Sequence, residues 1–421
     1  MGTKNEFKDT EIGRIPEEWE IVRLEEISDE LFYGLTAKAT DADTGLKMLR
    51  TTDIKEYSVD WKTLPFCEIT EKRNNLAKYL LRKGDLIVAR AGTVGVSVLV
   101  DRDFDNVIFG SYLIKVKLKP AVHAKFVHYS FQSPIYWKHL QKAQGSTLKN
   151  INLSLLKSLK IPLPPLPEQR KIAEILSTVD EAIQKVDEAI AKTERLKRGL
   201  MKLLTKGIGH KEFKDSEIGR IPKEWEVVKL QDIVSEIKNG FASGKRDENG
   251  IVQIRMNNVT TDGRLTFDSY IKVPPPENLE KWILKPGDLL FNNTNSYDLV
   301  GKSAIFETAP FPCTFSNHFT RIRFKEGVVP KIILWHFLML WRRGYFKSVA
   351  IRHVGQSAVH TQYLLRLKIP LPPLPEQRKI AEILSTVDKK SELERKRKEK
   401  LEHIRRGLMN DLLTGKRRIK L

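Results

Sequence analysis

The sequence predicts an α/β chain of the α+β kind. Two mixed α/β domains are separated by two long antiparallel helices that form a coiled coil, with pseudo-two-fold symmetry from tandem duplication. Three observations predict it. Residues 6–27, EFKDTEIGRIPEEWEIVRLEEI, return as EFKDSEIGRIPKEWEVVKLQDI at 212–233. Residues 160–180, KIPLPPLPEQRKIAEILSTVD, return without one change at 368–388. Each copy of that second block opens a stretch whose apolar residues recur at helical spacing. The copies agree at their ends and diverge in their middles, as expected where ends assemble and middles recognise.

In chain order, residues 1–165 form the first mixed domain, 166–207 a central helix, 208–373 the second domain and 374–421 a C-terminal helix. The runs TLPFCEIT, DLIVAR, VSVLV and YLIKVKL in the first domain, and DLLFNN, KSAIF and FTRIRF in the second, are β-branched and aromatic. They predict short strands in a mainly antiparallel or mixed sheet. Gly84-Asp85 and Gly287-Asp288 are turn signals feeding a strand. Short helices are expected over 125–132 and 331–340. PLPPLPEQ is extended, because successive prolines fix φ and disfavour helix before them. Pro167 and Pro375 suit a helix start, and Gly207 and Gly415 a helix stop. Each long helix then spans roughly 55–60 Å at 1.5 Å per residue.

The central helix carries a heptad seam: Ile172, Leu176, Val179, Ile183, Val186 and Ile190, resumed by Leu196, Leu200 and Leu203. The C-terminal helix carries Ile380, Leu384 and Val387, then polar Ser391, Glu394 and Lys398, then Leu401, Ile404 and Leu408. Such seams need a partner. Pairing between two copies of the chain is open, but the duplication supplies a matching partner in cis, and antiparallel pairing within the chain is the expectation.

Hydrophobic residues make up 41% of 421 residues, enough for real cores. Lys and Arg number 73 against 53 Asp and Glu, a formal net charge of +20, which favours a polyanionic partner over mere solubility. No apolar run approaches the ~20 residues of a membrane span, so no membrane partner is expected. MGTKNEFKDTEIG does not read as a signal peptide, and Glu6 stands where a myristoylation signal needs Ser or Thr. Cys67 and Cys313, far apart, leave no disulfide framework and no cysteine-based zinc site, and a reducing cytoplasmic compartment fits.

Catalytic motifs are absent. GFASGK at 240–245 is one residue short of a phosphate-binding loop, and VGKS at 300–303 has Ser296 where the first glycine belongs. No FxGxG and no Asn-Pro-Pro-Tyr run marks an amino-methyltransferase site, and the nine histidines are scattered without a carboxylate cluster. No catalytic residue and no metal site is expected.

Duplicated variable domains, each closed by I-P-L-P-P-L-x-E-Q at 161–169 and 369–377 and a long helix, resemble type I restriction specificity subunits. The IGxIPxxWExVxL signature at 12–24 and 218–230 and the GDL turn match as well. The resemblance covers essentially the whole chain. It implies two target-recognition domains, each reading one half of a split double-stranded DNA site, and helices that act as a ruler and dock two methyltransferase subunits. It also implies a chain with no cofactor of its own. S-adenosylmethionine would be held by the methyltransferase subunits, and ATP and magnesium by motor–endonuclease subunits.

Base readout needs Arg, Lys, Asn, Gln, Ser and Thr at a groove, and such residues stand where the copies diverge. In the first domain they are Arg50, Thr51, Thr52, Arg90, Thr93, Gln144, Ser146, Thr147, Lys149 and Asn150. In the second they are Arg255, Asn257, Asn258, Asn292, Asn293, Asn295, Asn317, His318, Arg352 and Gln356. Thr51, Thr52 and Asp53 align with Met256, Asn257 and Asn258, and Arg90 with Asn293. The halves are therefore expected to read different sequences, Arg suiting guanine and Asn adenine. A standalone modifying enzyme and a protein-binding coiled-coil scaffold are the rival readings.

Overall fold

In each half the chain opens with a hairpin: Phe7–Thr10 pairs with Gly13–Pro16, and Phe213–Ser216 with Gly219–Pro222. The computed structural model describes residues 7–69, 73–144, 150–204, 207 and 209–419. They divide into two compact units, residues 1–188 with 396–421, and residues 189–395. The division cuts both long helices, so each unit owns the first part of one and the last part of the other.

The first unit holds a four-stranded antiparallel sheet in the order Ser97–Leu99, Leu86–Ala89, Leu113–Leu118, Ser28–Tyr33. A second sheet pairs Val107–Phe109 parallel with Lys47–Leu49, followed by Phe66–Glu68 and Lys38–Thr40. The second unit repeats the plan. Its antiparallel sheet runs Val234–Asn239, Phe319–Phe324, Leu289–Asn292, Ser303–Ile305. Its smaller sheet pairs Ile251–Ile254 parallel with Cys313–Phe315 and antiparallel with Ile271–Val273. Helices Ala124–Ser130 and Pro330–Arg342 overlap the expected 125–132 and 331–340.

The Gly-Asp signal has a physical reading. Gly84 and Gly287 take φ of 92° and 93°, open to glycine at little cost. The following carboxylate turns back: Asp85 accepts from the Arg82 N–H at 2.8 Å, and Asp288 from the Lys285 N–H at 2.8 Å. Both acids are buried and need a cation. Lys115 supplies it at 2.6 Å in the first unit, and Arg323 at 2.6 Å in the second.

The two long helices, Leu166–Leu204 and Leu374–Leu413, pack antiparallel within each unit. In the first unit Asp180 meets Arg405 at 2.6 Å and Asp187 meets Lys398 at 2.7 Å, so partner numbers fall as residue numbers rise. In the second, Glu194 accepts from Ser391 at 2.9 Å and Lys197 meets Asp388 at 2.5 Å. Ile172, Leu176, Val186, Ile380 and Leu384 are buried, while Val179, Ile183, Ile190, Val387, Leu401 and Leu408 are half-buried along the same seam.

Two expectations about the seam are corrected. Leu196 and Leu203 are exposed, 54% and 43%, and Ile404 is 48% exposed. Continuing the four-three spacing from Ile190 gives Thr193, Lys197 and Leu200, and from Leu401 it gives Arg405 and Leu408. Thr193 and Lys197 are buried, and Arg405 is half-buried. Phase decides burial here, and the leucine one step out of phase lies on the flank.

His128 is a buried polar group sensitive to pH. Arg405 donates to Gln132 Oε1 at 2.7 Å, which turns the Gln132 amide nitrogen toward His128 Nε2 at 3.1 Å. That ring nitrogen must then accept, and the imidazole must be neutral. Burial pushes its pKa down to about 4, and that of His336 in the second unit, which is not its equivalent in the duplication, to about 4 as well. A depressed pKa means that the unfolded chain binds the proton first as pH falls. The stabilisation is whole above about pH 6.5 and is lost between there and pH 4. From His128 alone the first unit is expected to lose roughly 2 kcal/mol between pH 7 and pH 5. Urea unfolding at the two pH values measures it, and His128→Asn should flatten the dependence; an undiminished slope would acquit the histidine.

Candidate nucleic-acid interface

At one end of the paired sheets in each unit, loops leave the strands together and are tied by the same backbone bonds. In the first unit the Arg90 N–H donates to Tyr112 O at 2.9 Å, and the Ile151 N–H to Arg90 O at 2.9 Å. In the second the Asn293 N–H donates to His318 O at 3.0 Å, and the Val359 N–H to Asn293 O at 2.8 Å. The turns at Thr51–Asp53 and Met256–Asn258 are closed alike, the Arg50 N–H on the Asp53 carboxylate and the Arg255 N–H on the Asn258 side-chain Oδ1, both at 2.9 Å. Two glycines let the sheets cross beside these loops. A Cβ on Gly34 would stand 2.3 Å from Gly110 O, and one on Gly240 2.1 Å from Ser316 O. The frame is therefore shared by the halves, and the side chains on it differ.

In the first unit Arg90 lies over the Tyr33 ring at 4.4 Å and donates Nε to Asn150 Oδ1 at 3.2 Å. Arg50 grips Asp53 through Nε at 3.0 Å and a terminal nitrogen at 2.8 Å, and this pairing raises its pKa. Thr52, Thr93 and Asn150 are exposed and Thr51 is half-buried; Thr93 Oγ1 reaches Thr51 O at 3.5 Å. The structure thus brings Arg50, Thr51, Thr52, Arg90, Thr93 and Asn150 together. Gln144 ends the helix Pro134–Gln144, and Ser146, Thr147 and Lys149 lie outside the described residues.

In the second unit Arg255 donates to Ser243 O at 3.1 Å, and its Nε is buried without a hydrogen-bond partner. Asn257 and Asn317 are exposed. His318 is half-buried, its pKa lowered by burial and by the Arg255 charge. The hairpin of Ile351–His353 and Gln356–Ala358 joins Thr294–Asn295 as a third strand and carries exposed Arg352 and Gln356. Arg352 stacks on Tyr297 at 3.8 Å from the ring centroid.

The asparagines require a correction. Asn258 is 1% exposed, and its amide nitrogen donates to Thr266 O at 3.0 Å and Ser269 O at 2.8 Å. Asn292 is fully buried, donates to His318 O at 2.9 Å, and accepts from the amide nitrogen of buried Asn295. These three hold the loops and face no groove. Asn293 spends its amide nitrogen on Asn317 O at 3.3 Å and Thr320 Oγ1 at 3.1 Å, leaving only Oδ1 unpartnered, so the two-point grip on adenine expected of it does not fit. A side-chain amide serves a loop carbonyl as well as a base edge, and burial decides which. Sequence reasoning passed over Tyr33, Tyr112 and Tyr297. Tyr112, 64% exposed, is the counterpart of His318, so the divergence of GSYL from SNHF was the signal available.

Among the described residues no group of three or more His, Cys, Asp or Glu is placed to hold a metal, and no helix is long and apolar enough to cross a membrane. Burial raises the Cys67 pKa and lifts that of Cys313 to about 11, so both thiols are packing groups.

The sequence profile described as "Type I restriction modification DNA specificity domain" matches residues 16–194 and again 222–403. The chain is 32% identical to the type I restriction enzyme MjaVIII specificity subunit of Methanocaldococcus jannaschii, over 98% of this chain and 96% of that protein. It is 31% identical to the putative MjaX specificity subunit of the same organism, over 98% and 97%. Among solved structures, the S subunit of the type I restriction–modification system of M. genitalium has the same fold, with a TM-score of 0.58 at 17% identity over 94% of this chain and 96% of that one. With one domain family matched twice across most of the chain, and relatives matched end to end, this chain belongs to the specificity subunits of type I restriction–modification systems.

Proposed function

We propose that the loop cluster of each unit reads one half of a bipartite duplex DNA site, and that the paired helices set the spacing between the halves. One observation carries this reading: the two clusters share a backbone frame and present different side chains on it, Arg90 and exposed Tyr112 in one, half-buried His318 and exposed Asn317 in the other, where Asn293 at the place of Arg90 is turned inward. A common frame with exchanged side chains is what two readers of two sequences require. Arg90, stacked on Tyr33, has nitrogens left for a guanine edge, while Arg352 on Tyr297 sits on an exposed hairpin suited to a groove. The net charge of +20 supplies the phosphate attraction that holds any duplex.

Methyl transfer belongs in this reading to two methyltransferase subunits that dock along the helices and hold S-adenosylmethionine. ATP-driven movement and cleavage belong to motor–endonuclease subunits that hold ATP and magnesium. The chain alone should bind DNA weakly and with a steep salt dependence, and gain specificity when its partners clamp the duplex.

Two outcomes test the reading in the complex with methyltransferase. Arg90→Ala should relax one base of the first half-site, by about 1–3 kcal/mol of discrimination, and leave the second unchanged. Mapping methylated sites reads it, and equal loss in both halves would refute modular reading. The second outcome concerns spacing. Because Asp187 with Lys398 and Glu194 with Arg395 fix the register, a four-residue insertion must enter both helices, between 188 and 194 and between 395 and 398. It adds about 6 Å of rise and turns the distal part only about 40° past a full turn. At about 3.4 Å per base pair the spacer should lengthen by one or two base pairs with the half-sites unchanged. Full methylation at the original spacing would show that the helices are not the ruler.

A further inference from the structure

We infer that Arg395, on the C-terminal helix, is a positioning residue for base choice by the second unit: it clamps the tip of the hairpin that carries Asn257. This rests on the reading of that unit as a half-site reader. The hairpin begins at Met256–Asn258 and returns along 264–266, with Thr266 N–H donating to Asn258 O at 2.9 Å and Thr260 N–H to Arg264 O at 2.9 Å. Its tip holds Asp262 and Gly263, and Gly263, at φ 86°, packs on Leu338.

Asp262 is the anchor. It accepts from Thr260 Oγ1 at 2.5 Å and Arg264 Nε at 2.9 Å, and meets Arg395 at 3.3 Å. Burial would raise its pKa, but the Thr260 hydrogen bond and the Arg264 and Arg395 charges hold it down to about 2, so the carboxylate is charged at any working pH. Arg395 is itself held by Glu194 of the central helix at 3.0 Å. The tip of the hairpin is therefore pinned to both long helices. Its base is pinned from the sheet, where buried Lys302 donates to Met256 O at 3.1 Å and Val259 O at 2.7 Å. Asn257 lies between the two clamps, exposed, with its amide on Ser269 Oγ at 3.4 Å.

The first unit is built differently. Its hairpin, Ile54–Lys55 with Ser58–Val59, turns through Glu56 and Tyr57 at positive φ, and the Tyr57 hydroxyl takes the Trp137 indole N–H at 3.2 Å. The position equivalent to Arg395 is Asp187, whose partner is Lys398. Removing the Arg395 clamp should therefore disturb one half-site and spare the other.

The test is methylation by the reconstituted methyltransferase complex with wild-type chain, Arg395→Met, Arg395→Lys and Asp262→Asn, on substrates carrying single-base changes in either half-site. Arg395→Met and Asp262→Asn should each raise methylation of second-half-site variants, relative to the cognate site, by about tenfold. First-half-site discrimination and spacer length should stay as in the wild type, and Arg395→Lys should restore most of the loss. Unchanged discrimination in both variants, or an equal loss in both half-sites, overturns the inference. A wild-type complex that methylates no bipartite site overturns the half-site reading itself, and the inference with it.

Discussion

The structure depends on a carboxylate at the start of each long helix, buried in the first and half-buried in the second. Glu168 is 1% exposed and accepts from Trp19 Nε1 at 3.1 Å and Arg418 Nε at 3.0 Å. Glu376 accepts from Trp225 Nε1 at 2.9 Å and meets His210 at 2.8 Å. Both acids stand in the first helical turn, where the helix dipole favours a negative charge. The neighbouring glutamines complete the joint. Gln169 takes the His123 N–H at 2.9 Å and gives to Pro164 O at 2.8 Å, and Gln377 takes the Val329 N–H at 2.8 Å and gives to Pro372 O at 2.8 Å. A proline-rich turn has carbonyls to satisfy and few N–H groups, and the glutamine supplies the missing donor. Tryptophan, proline turn and helix thus form one rigid corner. Arg418 and His210 occupy equivalent places in the duplication, so the segment following one helix closes the corner at the start of the other.

A rigid corner lets the loops vary. The buried pairs of Asp85 with Lys115 and Asp288 with Arg323 cost desolvation that hydrophobic packing would spare, and their worth lies in fixing where the strands turn. Once the turns are fixed, the backbone bonds at Arg90 and Asn293 repeat from one unit to the other whatever side chain they carry. Recognition is then a property of outward side chains on an inward-facing frame.

Repeat, turn and helix were legible in the sequence because each has a local cause. The duplication announces the architecture, glycine before aspartate announces a turn, and proline before Glu-Gln announces a helix start. What was not legible depends on which way a residue faces. Leu196 and Thr193 differ in polarity, yet the polar residue is buried and the apolar one exposed, because seam phase outranks hydrophobicity. Asn257 and Asn258 are adjacent and chemically identical, yet one is exposed and the other sealed inside a turn. Divergence between copies pointed to the loops proposed to read DNA, but it could not separate an exposed side chain from one that holds the loop in place.

That distinction returns in the polar middle of the helix pair. An all-apolar seam would pack well in several registers, whereas a buried polar residue is satisfied in one. Lys197 with Asp388 and Glu194 with Ser391 select that register in the second unit, and Glu194 also holds Arg395. Burial raises the Asp388 pKa even beside Lys197, a sign that this pairing costs stability in exchange for alignment. The residues that align the helices therefore stand in one network with the hairpin that carries Asn257. On the proposed reading, the helix that helps set the spacing in the second unit also carries the residue that positions the hairpin bearing Asn257.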